Sequence, residues 1–314
     1  MYRKGPVILF DDFTCDMKYA DFPFKVKSSA MKLLTTKDEM PLFYGYNLLQ
    51  HINYKPGGHA RHWISIMQPI SVLVPGLDEQ KKVSAFLELV NQKIKKQQEI
   101  IALLKKYKRG VIKSLLDPKK NTRQGVMWTT EKIGKLGSFT KGAALSKADI
   151  SETGTPFILY GELYTTYKEV VRTVVRTTSA TVDNVYFSRI GDVVIPTSGE
   201  TPEEISTASC VMVPNVILAG DLNIFRSTNV DGRIMSYLLN HIVNDQIARV
   251  AQGKSVVHIQ ASEIGKIAIT YPDSNEQKRI AEILELIDSR ITVLEKTMLH
   301  MQNMKKGLLQ QLFI

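Results

Sequence analysis

The chain has 314 residues, more than one domain usually contains, so we expect two or more units that each bury a core of their own. Its 41 basic and 31 acidic residues give a formal net charge of +10, which favours a polyanionic partner. Of the two candidate partners, we favour nucleic acid over an anionic membrane surface. The chain has neither an apolar run of ~20 residues nor the apolar core of a signal peptide, so we expect a cytoplasmic protein without a membrane partner.

The first part of the chain predicts a short helix, a strand and then a long helix. Leu48–Ile52 is interpreted as helical, with Asp38 as a candidate cap. The apolar run Pro69–Pro75 predicts a strand. From residue 78 to 116, apolar residues recur at alternating steps of four and three, which is coiled-coil spacing and predicts a helix of about 38 residues, on the order of 57 Å long.

The same succession returns in the second part of the chain. With a constant shift of 197 positions, residues 78–116 match residues 275–313 without a gap. Upstream of the second copy, Lys266–Pro272 parallels the predicted strand, and Leu238–Ile242 parallels the short helix, with Asp231 as its candidate cap. The sequence therefore predicts a tandem duplication of α+β class, in which each repeat ends in a long helix.

Polar residues interrupt the apolar seam of both long helices. They are Gln97 and Lys108 in the first helix and Lys305 in the second. Polar seam positions can fix register or partner choice at some cost in stability. Long side chains at such positions can also reach out to solvent. The sequence leaves both interpretations open.

The second repeat has a front part for which the first repeat has no counterpart. It contains Trp128, a turn around Lys141-Gly142, and strand-like runs at Phe157–Tyr160 and Val170–Val175. Only about 75 residues precede the first long helix, whereas the second repeat has about 145 residues before its own. Either the first repeat is naturally shorter, or its beginning is missing.

Several short motifs, in their order along the chain, resemble the specificity subunit of a type I restriction-modification system. The resemblance covers essentially the whole chain. Its residues are Trp128, Lys135-Leu136-Gly137, Gly154-Thr155-Pro156-Phe157-Ile158-Leu159-Tyr160-Gly161, Gly191-Asp192-Val193-Val194-Ile195, Leu77-Asp78-Glu79-Gln80-Lys81 and Ser274-Asn275-Glu276-Gln277-Lys278-Arg279-Ile280.

The resemblance implies four segments: the C-terminal part of a first target recognition domain (1–75), a conserved long helix with a linker (76–126), a second target recognition domain (127–272) and a second conserved long helix (273–314). The two helices would pack antiparallel as a coiled-coil spacer. Each recognition domain would read half of a bipartite site in double-stranded DNA.

The resemblance also implies that this chain has no catalytic site, no metal and no cofactor. Methyl transfer with S-adenosylmethionine would belong to partner modification subunits. ATP-driven cleavage, with Mg²⁺, would belong to a partner restriction subunit. The expected role is sequence recognition within a phage-defence complex.

Candidate DNA contacts combine polar side chains that can read base edges with cations and glycines that can approach phosphates. Four of the segments lie in the second recognition domain and one lies in the first repeat. The candidate residues are Lys141, Gly142, Ser146 and Lys147; Tyr160, Tyr164 and Thr165; Ser198, Gly199 and Thr201; Lys254 and Ser255; and His59 and Arg61.

The sequence motifs give little support for a catalytic site or a metal site. Gly253-Lys254-Ser255 resembles the end of a phosphate-binding loop, but Ala248 stands where that motif requires glycine. Asp273 and Glu276 resemble nuclease carboxylates, yet they fall in a first helical turn, where capping explains them. The histidines show no metal-ligand spacing, and two isolated cysteines, Cys15 and Cys210, suit buried thiols.

Two rival interpretations remain at this level. The chain could be a truncated half-subunit that dimerises, in which case its DNA target would be palindromic. It could also be a scaffold or competitor that binds modification subunits through its helices without reading DNA. The second rival predicts that sequence-dependent, salt-sensitive DNA binding is absent.

Overall fold

The structure is a computed structural model that describes residues 2, 5–52, 54–58, 60–121, 123–251 and 257–313. Its described residues form two compact units. We call residues 1–103 with 291–314 the outer unit, and residues 104–290 the central unit. None of the described helices is long and apolar enough to cross a membrane.

The chain combines helices with mainly antiparallel sheets, which is an α+β fold and confirms the predicted class. The strands are β1 (Val7–Asp11), β2 (Met17–Ala20), β3 (Met31–Leu34), β4 (Trp128–Lys132), β5 (Gly137–Lys141), β6 (Thr155–Leu159), β7 (Val170–Val171), β8 (Arg176–Thr178), β9 (Asp192–Pro196), β10 (Ser198–Gly199), β11 (Ser209–Val211), β12 (Ile217–Ala219), β13 (Leu222–Ser227), β14 (Val257–His258) and β15 (Ala268–Pro272). The helices are α1 (Leu42–Ile52), α2 (Leu77–Leu115), α3 (Glu162–Thr165), α4 (Pro202–Ile205), α5 (Gly232–His241), α6 (Asn244–Val250), α7 (Ala261–Lys266) and α8 (Ser274–Leu312).

The outer unit combines a small sheet with one end of each long helix. Its three antiparallel strands lie in the order β2-β1-β3. Phe43 and Tyr44 on α1 are buried against Leu87 of α2 and Phe313 beside the end of α8. A single apolar face of α1 therefore joins the helix pair within this unit.

The central unit is built around a five-stranded sheet in the order β5-β13-β9-β11-β7. The pairs are antiparallel except for β11 with β7, which is parallel. A three-stranded sheet, β12-β6-β8, and two two-stranded ladders, β15-β4 and β10-β14, complete the unit. Helix α5 packs on the larger sheet, and its buried residues share one core with Ile112 of α2 and with Ile280 and Leu284 of α8.

The structure contains both predicted long helices, since α2 and α8 each have 39 residues. In the outer unit, Gln97 of α2 donates its Nε2–H to the carbonyl of Leu294 on α8 at 3.1 Å. In the central unit, Lys108 of α2 contacts Asp288 of α8. Leu87 of α2 shares a core with Phe313 in the outer unit, and Ile112 of α2 shares one with Ile280 in the central unit. Within each unit, residue numbers therefore rise along α2 as those of their partners fall, as in an antiparallel pair.

Helix capping agrees with the sequence in the second repeat. Asp231 caps α5 by accepting the Arg233 backbone N–H at 2.9 Å. Asp273 caps α8 by accepting the N–H groups of Asn275 and Glu276, which lowers the pKa of Asp273. The capping role predicted for Asp38 is wrong. That residue lies in a left-handed turn with φ of 56°, and the first turn of α1 begins at the Pro41 carbonyl instead.

Two strand predictions differ from the structure. The run 170–175 forms only the two residues of β7. The run Pro69–Pro75 forms no strand, whereas its repeat counterpart becomes β15 and pairs with β4. Among the described residues no strand pairs with this apolar segment as β4 pairs with β15, and a strand needs such a neighbour.

Candidate nucleic-acid interface

A cleft of about 890 Å³ opens on the central unit. It brings together candidate DNA-contacting residues that lie in separate segments of the sequence. Those at its lining are Ser146, Lys147, Tyr160, Tyr164 and Thr165. Glu200, from the third predicted segment, also lines it. DNA contact by these residues stays a prediction.

One wall of the cleft is a single helical turn fixed by a capping box. Ser146 accepts the Ala148 N–H at 3.2 Å, while the carboxylate of Asp149 accepts the Ser146 backbone N–H at 2.7 Å. These reciprocal bonds satisfy donors that a short turn would otherwise leave exposed. Lys147, held between them, is exposed, and no ion pair involves it among the described residues.

The junction between β6 and α3 supplies another part of the lining. Glu162 is 8% exposed and accepts the backbone N–H of Leu159 at 3.3 Å and the Nε–H of Arg176 at 3.0 Å. Thr165 donates its hydroxyl to the Gly161 carbonyl at 2.8 Å. Tyr164 is part of this turn, and burial raises the pKa of its phenol. The ring of Tyr164 and the hydroxyl of Thr165 therefore lie on a turn that is fixed by hydrogen bonds.

The third predicted segment is hydrogen-bonded to the lining of the cleft. Ser198 is buried in β10 and donates its hydroxyl to Asp221, a lining residue, at 2.8 Å. Gly199 is also buried, in the ladder with β14. Thr201 caps α4 by accepting the Glu204 N–H at 3.2 Å. The structure thus gives each of these three residues a role inside the fold.

Lys141 and Gly142 also have partners within the central unit. The Lys141 ammonium donates to Asn223 Oδ1 at 2.8 Å, and burial lowers the pKa of this lysine. A Cβ at Gly142 would lie 2.9 Å from the Gly220 carbonyl oxygen and 3.0 Å from that of Leu218. Glycine at this position therefore lets β5 approach the turn before β13.

The remaining candidates lie elsewhere. Arg61 is exposed in the outer unit, where its guanidinium lies 5.9 Å from the centre of the Phe13 ring and 3.5 Å from the Ser29 hydroxyl. His59, Lys254 and Ser255 lie outside the described residues. Their assignment as DNA contacts stays a prediction.

The charges around the cleft are mixed. Arg176 is paired with Glu162, and Asp221 accepts from Ser198. Lys147 and Glu200 are both exposed at the lining. A cation can bind a phosphate or a guanine edge, and a carboxylate can accept from the amino group of a cytosine. The lining therefore offers both kinds of group that base reading uses.

A buried charge cluster connects four segments of the central unit. Lys108 of α2 contacts Glu169 at 2.8 Å and Asp288 of α8 at 2.6 Å, and its side chain is only 8% exposed. His241 of α5 contacts the other oxygen of Glu169 at 2.6 Å, and Tyr237 of α5 donates to Asp288 at 2.7 Å. Hydrogen bonds from His241 and Lys108, with the charge of Lys108, outweigh burial and lower the pKa of Glu169 to about 2. This cluster joins the segment containing Glu169 to α2 and α5, and it joins both of those helices to α8 through Asp288.

Comparison with known proteins identifies the family. A family model for the type I restriction modification DNA specificity domain matches residues 125–300, more than half of the chain. The chain belongs to this family of specificity subunits. A curated relative, the specificity subunit of type I restriction enzymes EcoR124I and EcoR124II from Escherichia coli, is 26% identical over 312 residues. That alignment covers 91% of this chain and 73% of the relative.

Solved structures share the fold of this specificity-family chain. The type I restriction-modification S subunit from M. genitalium superposes with a TM-score of 0.63 at 16% identity, covering 99% of this chain and 83% of the other. A chain from a structure concerned with complex assembly and conformational transition of the type I restriction-modification system gives a TM-score of 0.58 at 15% identity. It covers 98% of this chain and 81% of the other.

Sequence reasoning missed the partners of Lys108 in this family member. The interruption of the apolar seam marked Lys108 itself, and its buried contacts support the register interpretation over a solvent-reaching side chain. Glu169 and His241 carried no signal of their own, because their neighbours come from distant parts of the chain. Arg176 was missed at the cleft for the same reason, since its partner Glu162 lies on another element.

Proposed function

We propose that this chain is the non-catalytic subunit that gives a type I restriction-modification complex its DNA sequence specificity, with residues 127–272 reading one half of a bipartite site. The observation that supports this most is the cleft, where Ser146, Lys147, Tyr160, Tyr164 and Thr165 converge from separate segments. Hydroxyl, amine and aromatic groups on rigid turns are suited to base edges and phosphates.

Under this proposal, the first repeat reads the other half-site. The outer unit presents Arg61 on an exposed segment, which suits a phosphate or base contact. The pair of long helices would set the number of unread base pairs between the half-sites. At ~1.5 Å per residue, a 39-residue helix is about 58 Å long, which is enough to span more than one turn of DNA.

The chemistry would come from partner subunits. Modification subunits would bind S-adenosylmethionine and transfer methyl groups, and a restriction subunit would use ATP and Mg²⁺ for cleavage. Leu89 on α2 and its repeat counterpart Leu286 on α8 are 60% and 73% exposed. Exposed leucines at equivalent positions of two helices suit the docking of modification subunits.

Lys147→Ala tests the cleft as a DNA-binding site. We expect weaker binding to double-stranded DNA and a fall of about 1 in the slope of log affinity against log salt, because one phosphate contact and its released counterion are lost. The matched control is Lys135→Ala. Lys135 is 70% exposed on the same recognition domain, is not among the residues that line the cleft, and pairs with Glu131 at 3.4 Å. Titrations of a labelled double-stranded DNA with each variant, at several salt concentrations, measure the affinity and its dependence on salt.

If both variants change affinity and salt slope equally, the cleft has no special role in binding. If neither changes either quantity, the DNA-reading surface lies elsewhere. Lys147→Ala alone should show the effect.

A further inference from the structure

An arginine lies over an aromatic ring on the surface of the outer unit. Phe13, in the turn between β1 and β2, is 39% exposed, and the guanidinium carbon of Arg61 lies 5.9 Å from the centre of its ring. The same guanidinium lies 3.5 Å from the Ser29 hydroxyl. No carboxylate pairs with Arg61 among the described residues, so its charge stays available for a ligand.

Asp12 fixes the backbone on both sides of this contact. It is 1% exposed, and its Oδ1 accepts the N–H groups of His62 at 3.1 Å and Trp63 at 2.7 Å. Its carbonyl oxygen also accepts the His62 N–H at 2.9 Å. Asp12 directly precedes Phe13. His62 directly follows Arg61, so these bonds hold the ring and the guanidinium on adjoining, fixed segments.

The sheet of the outer unit matches the middle of the large sheet in the central unit. At a shift of 186, Gly5–Phe10 aligns with Gly191–Pro196, which makes β1 the counterpart of β9. The order β2-β1-β3 then corresponds to β11-β9-β13, and all four strand pairs are antiparallel. The bond to the carbonyl after β1 also has a counterpart, in which Ile259 donates to the Thr197 carbonyl at 3.0 Å.

In the central unit the segment after β9 leads into the cleft. The shift of 186 places Phe13-Thr14 at Gly199-Glu200, and Glu200 lines the cleft. The position that Phe13 and Arg61 occupy in the outer unit is therefore equivalent to part of the candidate DNA-reading surface.

The chain beside Arg61 is basic. Residues 22–37 contain four lysines and no acidic residue, and Ser29 belongs to this stretch. Lys25 and Lys27 are exposed, and neither forms an ion pair among the described residues. Cations of this kind attract the phosphate backbone and position base-reading side chains beside it.

An arginine and a phenylalanine read different features of the major groove. A guanidinium can bind both O6 and N7 of guanine, whereas a phenylalanine ring can contact the methyl group of thymine. The two groups are 5.9 Å apart, which is less than two steps of ~3.4 Å between base pairs. They can therefore reach neighbouring base pairs.

We propose that Arg61 and Phe13 are specificity-determining residues of the first repeat, with Arg61 reading a guanine and Phe13 reading the methyl group of a neighbouring thymine in double-stranded DNA. This inference rests on the proposed function, because it names the residues with which the first repeat reads its half-site. Lys25 and Lys27 would contact the phosphates beside these bases.

Sequencing of methylated DNA tests the assignment in the assembled complex. The unmodified chain, Phe13→Ala and Arg61→Ala would each be supplied with the matching modification subunit in a host without other DNA methylases. We expect the preference for one thymine to fall roughly tenfold in Phe13→Ala, and the preference for a neighbouring guanine to fall as much in Arg61→Ala. The other part of the motif should stay unchanged, which would also show that both variants fold and assemble.

Phe22→Ala is the matched control. Phe22 is 45% exposed and also lies beside a cation, because the ammonium of Lys18 is 5.2 Å from the centre of its ring. It follows β2 at the end of the hairpin where Ala20 pairs with Val7, whereas Phe13 lies in the turn at the other end. This variant should leave both parts of the motif unchanged.

Modified bases separate the two contacts. Uracil lacks the methyl group of thymine, and 7-deazaguanine lacks the N7 acceptor of guanine. In titrations of the complex with duplexes that carry the motif, uracil should weaken binding by the unmodified chain roughly tenfold and have little effect on Phe13→Ala. In the same way, 7-deazaguanine should weaken binding by the unmodified chain and have little effect on Arg61→Ala.

A two-part motif that neither variant changes would overturn this inference and leave the proposed function intact. An Arg61→Ala variant that weakens binding to every sequence and lowers the salt slope, with an unchanged motif, would assign a phosphate contact and contradict base reading. The absence of any new motif with the unmodified chain would instead contradict the proposed function, and this inference with it.

Discussion

Lys108→Ala is expected to lower the free energy of unfolding of the central unit by about 3–5 kcal/mol. The substitution leaves the carboxylates of Glu169 and Asp288 without their shared cation, and these side chains are only 15% and 25% exposed. An uncompensated buried charge costs much more than the loss of a surface ion pair. Denaturant unfolding followed by a probe in the central unit measures the change.

The repeat supplies a matched control for this variant. Lys305→Ala removes the equivalent lysine of α8, which has no carboxylate partner among the described residues. We expect it to change the free energy of unfolding by less than about 1 kcal/mol. Equal effects of the two substitutions would contradict a structural role for the charge cluster.

The same cluster should make the unmodified chain acid-sensitive. The pKa of Glu169 falls from 4.5 to about 2 on folding, so its contribution to stability is complete above about pH 4.5 and is lost as pH falls towards 2. In Lys108→Ala the hydrogen bond from His241 to Glu169 remains, but the charge and the hydrogen bond of Lys108 no longer lower the pKa of Glu169. The difference in free energy of unfolding between the unmodified chain and Lys108→Ala should therefore become smaller as the pH falls from 4.5 towards 2. Unfolding curves at several pH values would show this.

Gly232→Ala should destabilise the central unit by about 3 kcal/mol or more. A Cβ at this first residue of α5 would lie 2.1 Å from the Gly191 carbonyl oxygen and 3.0 Å from the sulfur of Cys210. The nearest atom is backbone, so relief requires movement of the loop before β9. Thermal and denaturant unfolding of the purified variant measure the loss.

Gly110→Ala is the contrasting glycine variant. Apart from its chain neighbours and the nearby backbone of its own helix, no described atom lies within 4 Å of a Cβ at Gly110, which lies inside α2. Alanine is favoured over glycine in a helix interior by about 1 kcal/mol, so this variant should be slightly more stable than the unmodified chain. If both glycine variants behave alike, the close approach of α5 to the Gly191 loop does not control stability.

The sequence predicted the long helices best because their pattern is regular and repeated. Apolar residues at steps of three and four specify one buried face over many turns, and α2 and α8 both follow it. The pattern of Pro69–Pro75 was equally apolar, but a strand also needs a neighbour. Its counterpart β15 has β4, and the described residues offer no such strand to the first repeat.

The cleft could be predicted in part. Polar and glycine-containing loops marked Ser146, Lys147, Tyr160 and Thr165, and the fold brings these residues to one lining. The same criteria also selected Ser198, whose hydroxyl is bound within the fold. Composition shows that a segment is a loop, but the direction of each side chain depends on tertiary hydrogen bonds that the sequence pattern does not specify.

Sequencing of methylated DNA tests the central claim most directly. A host without other DNA methylases would receive this chain with its matching modification subunit. We predict one new methylated motif with two specific parts separated by a fixed number of unread bases, and a Tyr164→Ala variant that alters only one part. A stable complex with the modification subunit that produces no new methylated motif would contradict the proposal that this chain confers DNA sequence specificity.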